Sequence, residues 1–209
     1  MKIVFFGDSI TDMCRDRQND ADPFGLGLGY PYLIRDALSQ ESLNKHTIIN
    51  RGIGGNRSVD LYARIKTDVW NLEPDVLSFL IGVNDVWHEL DWKNGVDIFR
   101  YEMFLESMIC ETFKRLPNIQ IIILEPFILS GTCTESRIEH FNEVREYAKV
   151  AKNLSEKYGL VFVPLQETFD SLAEKNGAEL YLYDGVHPTI LGARVIANAW
   201  LEAFKTIEE

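Results

Sequence analysis

The sequence predicts a three-layer α/β fold in which helices cover both faces of a five-stranded parallel sheet. Short apolar runs alternate with amphipathic stretches along the chain, which is the pattern of α/β proteins. The apolar runs are continuous rather than interrupted by polar residues, as is typical of parallel strands buried on both faces. The length of 209 residues suffices for one sizeable core. We therefore predict a single domain over residues 1–209.

Each element is predicted from a local pattern. The predicted strands are, in chain order, Ile3–Phe6, Thr47–Asn50, Val76–Ile81, Ile119–Leu124 and Leu160–Val163. The predicted helices are Pro31–Leu38, Val59–Trp70, Val96–Lys114, Arg137–Lys157 and Thr189–Thr206. The third and fourth of them have apolar residues spaced three or four apart, as is typical of surface helices. Pro31 favours a helix start because proline suits the first helical position. Ser58 is predicted to cap the helix that follows it.

Composition excludes several classes of function. The formal net charge of −11 argues against nucleic acid and anionic membrane surfaces as partners, because both would repel the protein. No apolar stretch approaches the ~20 residues that span a bilayer. The first residues resemble a weak signal peptide only in a short apolar run, which Asp8 interrupts. We interpret this run as a core strand and expect a cytoplasmic protein.

The cysteines and histidines do not form a metal-binding pattern. Cys14, Cys110 and Cys133 are widely spaced, which predicts neither a disulfide framework nor a CxxC metal site. The four histidines include no HExxH pair. We therefore predict no metal site.

Polar and glycine-rich motifs follow three successive predicted strands. Ser9 follows the first strand, Gly52–Gly55 follow the second, and Asn84 follows the third. Ligands of an open parallel sheet bind beyond the carboxyl ends of its strands, so these motifs are predicted to share one pocket. The polar segment Asp12–Tyr30 follows Ser9 directly and is predicted to form part of the pocket rim.

Three residues have the chemistry of a nucleophile, its base and an orienting acid. A serine hydroxyl such as that of Ser9 needs a base to take its proton before it attacks a carbonyl. His187 is the candidate base. Asp184 lies three residues before it, close enough to fix the tautomer of the imidazole and to stabilise the imidazolium. Together the three residues predict an acyl-transfer site.

Attack on an ester carbonyl produces an oxyanion, which needs hydrogen-bond donors already in place. The predicted donors are the backbone N–H groups of Ser9 and Gly55 and the side-chain amide of Asn84. Gly55 is expected to let the main chain approach the substrate closely, where a side chain would intrude. Loss of one such donor typically costs ~10²–10³ in turnover.

Each motif also has a structural interpretation. The Asp8–Ser9 pair could cap a helix, the glycines could form a simple turn, and Asn84 could end a strand in a turn. A histidine before a proline, as at His187, is often structural. Each alternative is acceptable for one motif alone, but the four motifs in this order favour catalysis.

The four blocks resemble the signature blocks of the SGNH (GDSL-type) hydrolases. They are Gly7-Asp8-Ser9-Ile10, Gly52–Gly55, Gly82-Val83-Asn84-Asp85 and Asp184-Gly185-Val186-His187-Pro188. The resemblance spans nearly the whole chain. It implies a flavodoxin-like fold and esterase or lipase chemistry without a cofactor. It carries over Ser9 as nucleophile, Gly55 and Asn84 as oxyanion donors, and Asp184 with His187 as the rest of a triad.

A narrower resemblance points to one branch of that family. Gly27-Leu28-Gly29-Tyr30, the run Ile81–Trp87 and the segment Asp12–Arg17 are similar to those of acetyl xylan esterases and related carbohydrate deacetylases. This resemblance implies acetylated sugars as substrates, such as acetylated xylo-oligosaccharides.

The side chains around the motifs agree with a sugar substrate. Aromatic faces near the motifs could pack on sugar rings, and the candidates are Tyr30, Trp87, Trp92, Tyr181 and Tyr183. The side chains that could hydrogen-bond to hydroxyl groups are Asp12, Arg15, Asp16 and Arg17, and Asp8 is also predicted to bind substrate. Any of the aromatics could instead be a core residue, and the charged segment could be a solvated loop. We predict removal of small acyl groups, acetyl above all, from a small-molecule carbohydrate ester.

Two other functions are compatible with the sequence. One is a lysophospholipase or thioesterase acting on longer acyl chains, although no long apolar lid segment is evident. The other is a carbohydrate-binding domain without catalysis, which the base and orienting acid disfavour. A flavin or nucleotide binder is disfavoured because no phosphate-binding glycine loop opens a helix. Exposed aromatics would permit a homo-oligomer.

Overall fold

A sheet of five parallel strands forms the centre of the protein in a computed structural model that describes residues 1–19, 23–41 and 45–208. The strands are β1 (Lys2–Gly7), β2 (Thr47–Asn50), β3 (Val76–Leu80), β4 (Gln120–Leu124) and β5 (Val161–Val163). Their order is β2-β1-β3-β4-β5. The predicted sheet is confirmed, and each strand agrees with its predicted run to within one residue at either end.

The helices of the described residues follow the strands in alternation. They are α1 (Ser9–Asp12), α2 (Tyr30–Glu41), α3 (Ser58–Asp68), α4 (Val83–Trp92), α5 (Ile98–Arg115), α6 (Ile138–Phe141), α7 (Val144–Tyr158), α8 (Gln166–Asn176) and α9 (Ile190–Glu208). Short 3-10 turns occur at Phe24–Leu26, Trp70–Leu72, Glu135–Arg137 and Ala178–Leu180. No helix within residues 1–19, 23–41 or 45–208 has the length and apolar character that crossing a bilayer demands.

Adjacent residues of β1 show how the helices divide into two layers. The ring of Phe5 packs against Tyr30 of α2 and Trp200 of α9. The ring of Phe6 lies under the guanidinium of Arg64, which belongs to α3. Because neighbouring strand residues point to opposite faces, α2 and α9 cover one face and α3 the other. Helix α5 packs beside α3, and α7 packs beside α5, to complete the second layer.

Several predicted helices differ from those observed. The predicted helix Arg137–Lys157 is divided at residues 142–143, because its two parts have different partners: Phe141 packs on Trp87 of α4, whereas Tyr147 packs on Tyr101 of α5. The prediction that Ser58 caps α3 is wrong. Ser58 is the first residue of that helix, and its N–H donates to the carboxylate of Asp85. Helices α1, α4 and α8 were not predicted.

The topology brings three loops to the carboxyl edge of the sheet. The chain order of the strands reverses between β1 and β3, and α/β folds bind ligands at such a switch point. After β2 the chain continues beside β1, where the N–H of Arg51 donates to Phe5 O and that of Ile53 to Gly7 O. The glycine segment 52–55 is thereby held against the residues that follow β1.

Candidate active site

The two ends of the chain meet at the carboxyl edge of the sheet. Ser9 Oγ lies 2.8 Å from His187 Nε2, although 178 positions separate the two residues in the sequence. On the other side of the imidazole, His187 Nδ1 lies 2.6 Å from Asp184 Oδ2. The serine oxygen, the ring and the carboxylate thus form a continuous hydrogen-bonded chain, which is the arrangement of a nucleophile with its base and orienting acid.

The turn after β1 determines the position of Ser9. A β-carbon at Gly7 would lie 2.3 Å from Thr11 Oγ1 and 2.5 Å from Leu80 O, so only glycine fits there. Asp8 caps α1 by accepting the N–H of Ile10 on its carboxylate at 2.9 Å. The capping alternative is therefore correct for Asp8. Ser9 is the first residue of α1, and its hydroxyl is directed to His187.

The loop before α9 holds the carboxylate and the imidazole together. Asp184 Oδ1 accepts the backbone N–H groups of Val186 at 2.9 Å and His187 at 2.7 Å, which leaves Oδ2 for the ring. The loop that follows β4 supports this turn, because the N–H of Leu129 donates to Gly185 O and that of Cys133 to Asp184 O. Gly185 has a φ of +98°, a backbone conformation that favours glycine.

The protonation states of Asp184 and His187 depend on each other. Burial alone would raise the pKa of Asp184, but the hydrogen bonds from His187 and Val186 outweigh it and lower the pKa. Burial alone would lower the pKa of His187, yet the hydrogen bond and the charge of Asp184, together with the charge of Asp8, outweigh it and raise the pKa. Asp184 is thus held ionised, and the imidazolium is stabilised relative to a free histidine.

Backbone N–H groups near Ser9 are available for hydrogen bonding. A β-carbon at Gly54 would lie 3.7 Å from that of Ser9, so the glycine loop directly adjoins the serine. The described part of the chain offers no acceptor to the N–H of Ser9 or of Gly55. A β-carbon at Gly55 would have no atom within 4 Å, so its φ of +80° is the reason for glycine here, not crowding within the protein.

The amide of Asn84 lies beside the same loop. Its Nδ2 donates to the backbone O of Asn56 at 3.0 Å and lies 3.4 Å from the carboxylate of Asp8. Asn84 belongs to the first turn of α4, directly after Gly82, whose φ is +144°. The interpretation of Asn84 and Asp85 as only a strand-ending turn is therefore wrong, since the chain enters a helix at this point.

Two buried carboxyl groups flank Asn84. Asp8 and Asp85 are each 1% exposed. Burial raises the pKa of each to about 7, in spite of the hydrogen bonds they accept from Ile10 and Ser58. Asp85 accepts both the N–H and the hydroxyl of Ser58 and so joins the start of α4 to the start of α3. These carboxyl groups are largely protonated in mildly acidic solution, which limits the negative charge beside the amide of Asn84.

A cleft of about 480 Å³ opens above Ser9. Most of its wall comes from the segment predicted to form the rim, of which residues 20–22 lie outside the described part. Met13 and Cys14 in this wall have φ angles of 36° and 61°, an uncommon conformation for residues other than glycine. The lining residues are Ser9, Asp12, Met13, Cys14, Arg15, Arg17, Tyr183 and His187.

Two of the predicted substrate-binding residues line this cleft. Tyr183 is 55% exposed, and its ring stacks on that of His187 with centroids 5.7 Å apart and planes at 16°. Arg15 is mostly buried and donates from Nε to the carbonyl of Gly52 at 2.8 Å. Arg17, another of the predicted hydrogen-bonding side chains, also lines the cleft and pairs with the carboxylate of Asp12.

The other three predicted substrate-binding residues are not in the cleft wall. Tyr30 is fully buried, and its hydroxyl pairs with Thr11 Oγ1 at 3.0 Å, so its prediction as a substrate-binding residue is wrong. The same holds for Asp8, whose carboxylate is buried as a helix cap. Trp87 is half-buried behind His187 and donates from its indole N–H to Asp91.

Polar contacts that sequence analysis missed support the loops. Asn56 holds the Asn84 amide, and Arg64 donates to Asn56 Oδ1 at 2.7 Å. The sequence gives no signal for Arg64, since Asp68 four positions later makes it resemble an exposed helical ion pair. Across residues 1–19, 23–41 and 45–208, no three His, Cys, Asp or Glu side chains converge as metal ligands would.

Comparison with known proteins finds a curated relative that is similar over nearly the full length of the chain. The chain is 32% identical over 206 residues to an acetylxylan esterase of Geobacillus stearothermophilus, which covers 96% of this chain and 92% of the relative. The structure of that enzyme, Axe2, superposes with a TM-score of 0.86 and covers 97% of this chain and 93% of Axe2. A structure from Parabacteroides merdae, described as a GDSL-like lipase, is 38% identical with a TM-score of 0.90, covering 97% and 94% of the two chains.

Variants of Axe2 identify residues of that enzyme that are described as catalytic, and two of them have the spacing of Asp184 and His187. Structures described as catalytic mutants replace a serine, an aspartate and a histidine of that enzyme by alanine. Its aspartate lies three positions before its histidine, as Asp184 does before His187 in this chain. In addition, the model of the GDSL-like Lipase/Acylhydrolase family matches residues 5–195. The chain therefore belongs to the GDSL-like lipase/acylhydrolase family and is a carboxylic ester hydrolase.

Proposed function

We propose that the protein is a serine esterase that removes acetyl groups from carbohydrates, with acetylated xylo-oligosaccharides as the model substrate. The observation that carries this proposal is the hydrogen-bonded chain Ser9–His187–Asp184 at the base of a small cleft. The similarity to an acetylxylan esterase over 96% of the chain supports acetyl as the acyl group and a sugar as the alcohol.

The first half of the proposed reaction transfers the acetyl group to the enzyme. Ser9 Oγ attacks the carbonyl carbon while His187 Nε2 takes the hydroxyl proton. The tetrahedral intermediate collapses, the bond from carbon to the sugar oxygen breaks, and His187 returns the proton to that oxygen. The products of this half are a free sugar hydroxyl and acetyl-Ser9. Asp184 remains ionised throughout and stabilises the imidazolium.

The second half releases acetate. Water attacks the acetyl carbon of acetyl-Ser9 while His187 Nε2 takes a proton from it. The bond from carbon to Ser9 Oγ then breaks, and His187 returns the proton to the serine. We assign the oxyanion of both tetrahedral intermediates to the N–H groups of Ser9 and Gly55 and to the amide of Asn84. The N–H groups of Ser9 and Gly55, for which the described residues provide no acceptor, support this assignment, because such donors must already be in place before the charge develops.

The walls of the cleft support a carbohydrate as the leaving group. Tyr183 presents an exposed aromatic face next to His187, and such faces pack against the C–H faces of sugar rings. Arg17 has a half-exposed side chain in the same cleft, and a guanidinium offers several N–H donors to hydroxyl groups. An aromatic platform with polar groups around it is the usual composition of a site that orients a polar ligand.

A second candidate function is hydrolysis of longer acyl esters, as by a lysophospholipase or thioesterase. One observation favours it. An apolar depression of about 390 Å³ adjoins the cleft through Cys14 and is lined by the exposed side chains of Phe24, Leu28 and Tyr32. An acyl chain that extends past Ser9 would find apolar surface there.

Acyl-chain preference separates the two functions. For p-nitrophenyl esters we expect kcat/KM to fall at least ~10-fold from acetate to octanoate, because a long acyl chain in the cleft would have to desolvate the charged side chains of Asp12, Arg15 and Arg17 in its wall. Release of acetate from acetylated xylo-oligosaccharides, followed by NMR, is expected with the same enzyme. A rise in kcat/KM toward octanoate, with no acetate released from the sugars, would replace the proposal by the second candidate.

Replacement of Tyr183 by alanine is expected to weaken sugar binding and to leave the chemistry intact. Loss of the stacking face should raise KM for acetylated xylobiose about threefold to tenfold, while kcat for p-nitrophenyl acetate changes little. Trp92→Ala is the matched control, because Trp92 is an exposed aromatic that packs on His88 outside the cleft. An unchanged KM for the sugar in Tyr183→Ala would contradict the assigned role.

A further inference from the structure

A single guanidinium on α3 contacts the loops that follow two different strands. The side chain of Arg64 is only 16% exposed. Its NH2 group donates to the carbonyl of Gly7 at 3.0 Å, its NH1 group to that of Arg51 at 2.8 Å, and its Nε to Asn56 Oδ1 at 2.7 Å. NH1 also pairs with Asp68 at 2.6 Å, and the guanidinium carbon lies 4.4 Å above the ring of Phe6.

The acceptors of Arg64 are placed around the proposed oxyanion donors. Gly7 lies two positions before Ser9, at the end of β1. Arg51 and Asn56 stand at the two ends of the glycine segment that contains Gly55. The backbone O of Asn56 in turn accepts the amide of Asn84 at 3.0 Å. The segments that contain Ser9, Gly55 and Asn84 are therefore all connected to the guanidinium of Arg64. Each connection consists of at most two hydrogen bonds and one or two residues of the chain.

We propose that Arg64 is a positioning residue that fixes the spacing of Ser9, Gly55 and Asn84 in the oxyanion hole. The proposal rests on the function proposed above. Arg64 itself is not proposed to contact the substrate, because its guanidinium lies between α3 and the loops, over the ring of Phe6.

The chemistry of this position requires an arginine. A guanidinium is planar and holds five N–H donors in a fixed fork, so it can bind three acceptors in defined directions. Lysine has the same charge on a flexible stem and cannot reproduce that geometry. Asp68 balances the charge of the partly buried cation. The carbonyl of Gly7, which already accepts the N–H of Ile53, takes Arg64 as a second donor.

The substitution Arg64→Lys tests the proposal. We expect kcat for p-nitrophenyl acetate, expressed per titrated active site, to fall about 10- to 100-fold, because small misplacements of catalytic groups carry costs of this size. KM should stay within about twofold, since ground-state contacts are unchanged. The rate of Ser9 phosphorylation by a p-nitrophenyl dialkyl phosphate should fall in parallel, because it also places negative charge in the oxyanion hole. A purely structural role would lower the melting temperature and the titrated fraction but not kcat per site.

One control variant makes the same change elsewhere. Arg145→Lys breaks a bidentate pair with Asp170 away from the site. It should keep kcat near the wild-type value. If Arg64→Lys does not fold, Asn56→Ala serves instead, because it removes one side-chain link to Arg64 and should lower kcat to a smaller extent with KM unchanged.

The outcomes separate this inference from the proposed function. Wild-type kcat per site in Arg64→Lys, or in the soluble Asn56→Ala variant, together with an inactive Ser9→Ala variant, would overturn the role of Arg64 alone. Substantial activity in Ser9→Ala would overturn the proposed function and this inference with it. A loss of kcat per site with retained KM and parallel loss of phosphorylation rate supports the positioning role.

Discussion

Replacement of Ser9 by alanine is expected to abolish ester hydrolysis, with a loss of kcat of about 10⁶-fold. The variant keeps His187 and Asp184 but has no atom that can carry the acetyl group. Members of such a triad act as a unit, so removal of the nucleophile costs nearly as much as removal of all three. Turnover of p-nitrophenyl acetate and the burst of p-nitrophenol at high enzyme concentration are the measurements. Both should disappear.

A control variant, Ser107→Ala, and a labelling experiment with an organophosphate test whether the loss of activity is specific to Ser9. Ser107→Ala changes a half-buried serine on α5, and its activity should equal that of the wild type. An organophosphate should label the wild-type enzyme once, on the peptide that contains Ser9, and should not label Ser9→Ala. A pure carbohydrate-binding domain would not be labelled at all. Near-normal turnover in Ser9→Ala would defeat the proposed mechanism.

The strands and the partners in the hydrogen-bonded chain Ser9–His187–Asp184 could be predicted because each depends on a local pattern. Continuous apolar runs such as Val76–Leu80 indicate buried parallel strands, and a parallel sheet brings their carboxyl ends to one edge. Ser9 and His187 were predicted as partners from the chemistry of their motifs. Their separation of 2.8 Å depends on α9 packing against α2 beside β1, which no local pattern encodes.

Errors arose where tertiary contacts decide the environment of a side chain. Tyr30 is next to a glycine motif at the rim, yet its ring points inward against Phe5, because it begins the helix that covers that face of the sheet. Helix α4 was missed because its first residues are the signature motif around Asn84, which resembles a turn in sequence. In the sequence, Arg64 resembles a surface residue of an amphipathic helix. In the structure, its guanidinium bonds to the carbonyls of Gly7 and Arg51 at the ends of β1 and β2.

The buried polar groups explain why so much of the site lies in short loops. Asp85 is buried and accepts the N–H of Ser58, while the half-buried Asn56 and Arg64 bond to groups in the segments at the ends of β1, β2 and β3. Each such bond satisfies a group that would be costly to bury alone. The loops that carry Ser9, Gly55 and Asn84 are consequently fixed to one another before any substrate binds, which is the condition for efficient stabilisation of a developing oxyanion.

Asp184→Asn is expected to lower kcat by about 10⁴-fold and also to move the acid limb of the pH profile. The structure predicts the orientation of the new amide. Asp184 Oδ1 accepts two backbone N–H groups, so the amide oxygen takes that place and the NH₂ group faces His187 Nδ1. Nδ1 must then accept a hydrogen bond, and the ring proton moves to Nε2. In this tautomer His187 cannot take the proton of Ser9.

The pH dependence follows from the sign of the pKa shift. His187 acts as a base only when it is neutral, so kcat/KM rises with pH through its pKa. In the wild type this midpoint should lie above the ordinary value of 6.5, because the hydrogen bond and charge of Asp184 outweigh burial. Without that carboxylate, burial lowers the pKa of His187 with less opposition, and the midpoint should move to lower pH.

Profiles of kcat/KM between pH 5 and 9, with Asp170→Asn as a control remote from the site, measure the shift. An acid limb that stays in place, or activity within tenfold of the wild type, would show that Asp184 does not orient and charge-stabilise the imidazole.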